Sequence, residues 1–233
     1  MGVMDLVGTL LLKPLMIVID CIGIFIGLLL IAAPVCVQYA AVKLSPKWGV
    51  KKKGIVSNVD LFSTCSKVPL GKHVFKLFVA AASPYSASIG PNVESLEYKI
   101  QSDPSVTNPD NTKTIYCKTS MQERPWLRNP FKSIHAAALI NLGEFTSGLA
   151  MVSAFQSSDM RGIVNSLSGT YTKKARGLVT AIAEVALPPS SSFDSDGTCK
   201  YFAVTKIFDS SGEQVATVTA EWVLSKTSNK KKL

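Results

Sequence analysis

The sequence predicts an α+β protein in which about six antiparallel strands wrap around one long buried helix, with a single membrane-spanning helix in front of them. Three observations carry this. An apolar run occupies Leu15 to Val37; an alanine-rich stretch from Ile134 to Phe155 is apolar on nearly every helical face; and after it the hydrophobic period drops from about 3.6 to about 2 over four successive segments.

The first run reads LMIVIDCIGIFIGLLLIAAPVCV. At about 1.5 Å per residue it is long enough to cross a hydrocarbon core of roughly 30 Å. Its one charge is Asp20. A carboxylate at the bilayer centre costs at least ~2.5 kcal/mol, and the surrounding leucines and isoleucines outweigh it. Asp20 lies toward one end, where it can take a proton or reach the interface; an intramembrane site is the other reading. A cleaved signal peptide has a shorter apolar core behind a positive start, whereas here only Lys13 precedes the run. Lys43, Lys47 and Lys51 to Lys53 crowd the far flank, which orients the rest of the chain toward the cytosol. We therefore divide the chain into an N-terminal anchor over 1–42 (span about 15–37), a basic connector over 43–67, a folded domain over 68–225 and a basic tail over 226–233.

The formal net charge of +9 raises nucleic acid as a partner, but Lys51 to Lys53 and Lys230 to Lys232 supply six of the positive charges at the domain's edges. The first cluster reads as contact with anionic lipid head groups or as a solvated linker. No basic-aromatic interleaving supports base stacking, so no nucleic-acid partner is expected. The five cysteines, Cys21, Cys36, Cys65, Cys117 and Cys199, are scattered without a CxxC pair, which favours free thiols and gives no metal site. No cofactor is expected.

Within the domain, PLGKHVFKLFVAAA (Pro69 to Ala82) has apolar residues at helical spacing, and Ser83-Pro84 ends it. Glu94 to Gln101 alternates as a strand, and a polar loop leads into a second strand at TIYCKTSM. Glu123-Arg124 reads as surface charge near the mouth of a site, and Trp126 and Trp222 as core or interface aromatics. The run from Ile134 to Phe155 holds His135, Asn141, Glu144, Thr146 and Ser147, which would need partners in lipid, so it is the buried helix and not a second span. Strands follow at Gly162 to Tyr171, Leu178 to Leu187, Cys199 to Phe208 and Gln214 to Leu224, separated by KKARG, by PPSSSFDSDG and by a DSSG turn.

At Asn129 to Glu144, NPFKSIHAAALINLGE resembles the N-x5-H-G-G-x6-D/E signature of hotdog-fold acyl-CoA thioesterases, including the hydroxybenzoyl-CoA type. The closing stretch KYFAVTKIFDSSGEQVATVTAEWVLS is similar to that family's final hairpin, and PLGKHVFKLFVAAASPYSASIGPNVESLE resembles a little-characterised thioesterase-like subgroup. The resemblance implies a hotdog fold and thioester hydrolysis. Glu144 stands at the position of the catalytic carboxylate, nine residues after His135, and Asn129 at a polar position that helps place the nucleophile or water. Ala136 and Ala137 occupy the two glycine positions, the first of which offers its backbone N–H to the thioester oxygen. Gly148 replaces a common hydroxyl residue, leaving Thr146 and Ser147 as the candidate hydroxyls for substrate binding. Similar domains pair through their sheet edges, which implies a homodimer whose site takes His135 and Asn129 from one subunit and Glu144 from the other.

Each candidate keeps a second reading: Glu144 as a neutral hydrogen-bonded core residue, and His135 as a helix cap. The expected function is thus a membrane-anchored acyl-CoA thioesterase acting on fatty or other hydrophobic chains, with a non-catalytic acyl- or lipid-binding scaffold as the alternative. The last residues, NKKKL, resemble a dilysine retrieval signal, which points to the endoplasmic reticulum; the mitochondrial membrane is the alternative.

Overall fold

The computed structural model describes residues 57–99, 114–155 and 160–226. The chain divides into two compact units, 1–54 and 55–233, and the described residues all belong to the second. The expected membrane helix over 15–37, most of the connector and the lysine tail lie outside the described residues.

The folded part begins before Val68. Helix α1 (Asn58–Ser66) lies in the segment read as connector and inserts Val59 and Phe62 into the core. Ser57 caps it, accepting the Asp60 N–H at 3.1 Å, and Phe62 meets Phe75 edge to face at 5.1 Å. The Ser57-x-x-Asp60 spacing is a capping signal. The lysine-rich composition of the adjoining segment obscures this signal.

Helix α2 (Gly71–Ala82) matches the amphipathic stretch, and α3 (Pro84–Ala87) starts anew with Pro84 in its first turn. Strands β1 (Asn92–Lys99) and β2 (Thr114–Gln122) follow, then a 3-10 turn at Pro125–Leu127 and the long helix α4 (Ala136–Phe155). Strands β3 (Met160–Tyr171), β4 (Leu178–Val185), β5 (Thr198–Asp209) and β6 (Gln214–Lys226) complete one antiparallel sheet in the order β1-β2-β4-β5-β6-β3. Their expected positions hold to within a few residues at each end.

Alternation along β4 and β6 turns Val179, Ala181, Ala183, Val218, Ala220, Trp222 and Leu224 inward, where α4 lies across the sheet. Two buried clusters follow the helix: Leu139 and Leu142 pack with Val179, Ile207 and Val218 along its first half, and Phe145 and Met151 with Phe75, Trp222 and Leu224 along its second. Gly143 sets the closeness of the approach. A Cβ there would fall 2.4 Å from Val218 Cβ, and Thr205 Oγ1 donates to the Gly143 carbonyl at 2.8 Å. Each large side chain so buried is worth about 1.5–3 kcal/mol, which explains why a helix with almost no polar face is stable here outside a membrane.

The sheet has two edges. Helix α2 guards β1, with Lys72 Nζ donating to the Glu94 carbonyl at 3.2 Å. At the other edge β3 pairs with β6 alone and exposes Ile163 (70%), Leu167 and Tyr171.

Candidate active site

Glu144 sits midway along α4, on the flank between the sheet and helices α1 and α2. It is half-buried and lines a cleft of about 310 Å³. The cleft's walls are apolar: Phe75, Phe78 and Val79 from α2, Leu149 and Val152 from α4, and Trp222 from β6. Burial pushes the Glu144 carboxyl above the usual carboxylate range. Among the described residues no hydrogen bond or ion pair engages that carboxylate. The reading of Glu144 as a hydrogen-bonded core residue therefore lacks a partner for it.

Gly148, one turn on, makes the space for this side chain, since a Cβ at that position would lie 3.3 Å from Glu144 Oε1 and 3.9 Å from Trp222 Cζ2. The glycine at 148 thus gives the carboxylate room beside the indole. Trp222 fits its core assignment, with a further feature: its buried indole N–H has no hydrogen-bond partner among the described residues. An unpaired donor in this setting costs about 1–3 kcal/mol unless something accepts it.

The other candidates lie at the start of α4. His135 Nδ1 accepts the Ala137 N–H at 3.1 Å, a cap that leaves the ring proton on Nε2. Ala137 therefore has no donor to spare. The Ala136 N–H has no partner among the described residues, and it points out of an exposed helix N-terminus. His135, Ala137 and Asn141 line a second cavity, of about 230 Å³, together with Tyr85, Ser88 and Trp126. Nine residues of helix rise, about 13 Å, separate His135 from Glu144, so within the chain they lie in two different cavities.

Several expected roles are corrected by this arrangement. The Thr146 hydroxyl donates to the Leu142 carbonyl at 2.6 Å and shares a hydrogen bond with Thr119 at 2.7 Å, while Ser147 donates to the Gly143 carbonyl at 3.0 Å. Both are fully buried: Thr146, two places from Glu144, turns to the opposite side of the helix against the sheet, and the Ser147 hydroxyl is taken up by its own helix's carbonyls. Asn129 accepts the Phe131 and Ser133 N–H groups at 3.0 and 3.2 Å, closing the turn before α4, so its side chain shapes the loop. Trp126, read as a core or interface aromatic, is 68% exposed, which removes the core half of that reading. Glu123, read as surface charge, is 8% exposed: it accepts Arg128 Nε and the Gly177 N–H, each at 2.5 Å, and the Gly177 bond foremost holds its carboxyl below the usual range. Sequence reasoning missed the roles of Phe75, Phe78 and Trp222, whose only signal was apolarity.

Residues 71–224 match the family model described as "Domain of unknown function (DUF4442)". The chain belongs to this family. No curated protein matches the chain. Among solved structures, the DUF4442 domain is similar to a Pseudomonas aeruginosa protein described as a "Probable Thioesterase", at 19% identity over 68% of this chain and 97% of the other, with a TM-score of 0.52. A structural-genomics protein matches at 20% identity over 72% and 98% with a TM-score of 0.50. A thioesterase family protein from Silicibacter pomeroyi matches at 15% identity over 65% and 96% with a TM-score of 0.45. The first two likenesses establish the fold: the six-stranded antiparallel sheet around a long helix is the hotdog fold.

Proposed function

We propose that this protein hydrolyses acyl thioesters carrying a hydrophobic acyl chain, as a homodimer tethered to a membrane by residues 15–37. The observation that carries the reading is the half-buried, unpartnered Glu144 carboxylate in the wall of a largely apolar cleft. A carboxylate whose pKa is raised by burial is a stronger base than one in water, which suits proton transfer near neutral pH.

In the reaction, Glu144 takes a proton from water while the water oxygen attacks the thioester carbonyl. The negative charge gathers on the carbonyl oxygen, the C–S bond breaks, and the leaving thiolate takes the proton back from Glu144. Direct attack by Glu144, with water then opening the acyl-enzyme anhydride, reaches the same products. The free Ala136 N–H at the start of α4 is a fitting donor for the oxyanion. Its distance from Glu144 within one chain supports a site completed by a second copy, and the unpaired β3 edge with its exposed Ile163, Leu167 and Tyr171 supplies the surface for pairing. The anchor would hold the site near the membrane where long acyl chains concentrate, at the endoplasmic reticulum or, alternatively, the mitochondrion.

The test is hydrolysis of a series of acyl-CoAs by the full-length protein in detergent, with Glu144→Gln beside it. Turnover lost in the variant supports the reading. A second reading, acyl binding without chemistry, is favoured by the alanines at 136 and 137 and by the inward-facing Thr146 and Ser147 hydroxyls. Tight acyl-CoA binding with no turnover at any chain length would select it.

A further inference from the structure

Lys76 of α2 and Arg124, just before the 3-10 turn, converge on Gly90. Lys76 Nζ lies 2.7 Å from Asn92 Oδ1 and 3.5 Å from the Gly90 carbonyl oxygen. The Arg124 guanidinium lies over the Gly90 α-carbon, where a Cβ would be 2.2 Å from Nη1. Gly90 has φ of +69°, so glycine serves both the backbone turn and the close approach of the guanidinium.

No carboxylate forms an ion pair with either cation among the described residues. The acidic groups near them in the chain are engaged elsewhere. Glu94 accepts the Ser120 hydroxyl at 2.6 Å, and Glu123 is held by Arg128 and the Gly177 N–H. Burial first, and then the positive charge of Arg124, hold the half-buried Lys76 ammonium below the usual lysine range. Two like charges gathered without a counter-charge oppose each other, and a bound anion would reverse the sign of that energy.

The placement says which anion. Arg124 lies over the indole of Trp126 at 5.4 Å, and Trp126 lines the cavity at the start of α4 beside His135 and Ala137. Through Trp126 the cations therefore border the cavity at the end of α4 where the thioester head would lie. Guanidinium and ammonium groups together suit a phosphate, which can accept from both at once.

We propose that Lys76 and Arg124 form an anion subsite that takes a phosphate group of the thioester's carrier. This rests on the reading of the α4 N-terminus as part of an acyl-thioester site. The same chemistry could be met by a lipid phosphate, so the experiment has an arm for each source.

The full-length protein in detergent, with Lys76→Gln and Arg124→Gln, is titrated calorimetrically with coenzyme A and with pantetheine, which carries the same thiol but no phosphate. Lys76→Gln keeps a donor for Asn92, and matching thermal melts confirm that both variants are folded. Losing a charge-assisted contact is expected to weaken coenzyme A binding by about tenfold or more in each variant, with pantetheine affinity unchanged. Co-sedimentation with anionic phospholipid vesicles is expected to be the same for all three proteins. Coenzyme A affinity indifferent to both substitutions, or equal to that of pantetheine in the unsubstituted protein, overturns the inference. So does loss of vesicle binding in place of coenzyme A binding, which assigns the cations to lipid. Turnover is scored separately: substitution-sensitive coenzyme A binding without hydrolysis keeps the subsite and removes the hydrolase reading. Hydrolysis with substitution-insensitive coenzyme A binding does the reverse.

Discussion

Glu144→Gln separates catalysis from stability, because the same burial that would make Glu144 an effective base also makes it a burden on the fold. The carboxyl sits above the usual carboxylate range through burial, so the folded protein holds the proton more tightly than the unfolded chain does. Below the ordinary glutamate pKa of about 4.3 both states are protonated and the group is neutral in the balance. As the pH rises through the folded value, ionisation has to be forced on a half-buried group with no partner, and stability falls. One unit of upward displacement corresponds to about 1.4 kcal/mol at high pH. In a domain of roughly 150–250 residues each kcal/mol moves the melting temperature by about 2–4 °C. The glutamine variant has almost the same shape and no charge, so at about pH 8 it is expected to melt higher than the unsubstituted protein. At about pH 4 the difference should vanish. Acyl-CoA turnover should fall about 10²- to 10⁴-fold, the usual worth of a positioned base. Melting curves across this range, set beside a thiol-release assay, provide the check. A variant that turns over at the original rate, or that melts lower at high pH, would refute the reasoning.

Gly148→Ala places a methyl group 3.3 Å from Glu144 Oε1; helix propensity should raise the stability slightly, by about 1 kcal/mol at most, while displacement of the carboxylate lowers turnover several-fold, as seen by running both assays on one sample. Gly143→Val sets a branched side chain against Val218, whose Cβ is already 2.4 Å from an added Cβ; overpacking should cost about 1–3 kcal/mol or more in urea unfolding. Leu167→Lys, on the exposed edge strand β3, should convert a dimer to a monomer in analytical ultracentrifugation and lower turnover with it, whereas a monomeric variant with full activity would remove the shared-site reading.

Much of the architecture was legible because it rests on local periodicity. The step from a 3.6-residue to a 2-residue repeat after Phe155 located β3 to β6 to within a few residues, and the all-round apolarity of Ile134 to Phe155 marked α4 as buried. Helix α1 was less legible, since Val59 and Phe62 are isolated apolar residues beside a lysine-rich segment and acquire meaning only against Phe75. The chemistry was partly legible. The resemblance to the thioesterase signature picked out Glu144, but it also picked out Asn129, Thr146 and Ser147, whose polar atoms are engaged by their own turn or helix.

By itself, then, the sequence determined the order and kind of the strands, of α2 and of α4, and the burial of α4, because these follow from neighbours two, three or four residues apart, while Glu144 came from the resemblance to the thioesterase signature. Tertiary structure alone decided that Glu144 is unpartnered beside Trp222, that Gly148 leaves room for it, and that Lys76 and Arg124 meet across 48 residues of chain at Gly90. These are relations between segments brought together by packing, and no periodicity along a chain encodes which polar atom will find a partner once the core has closed.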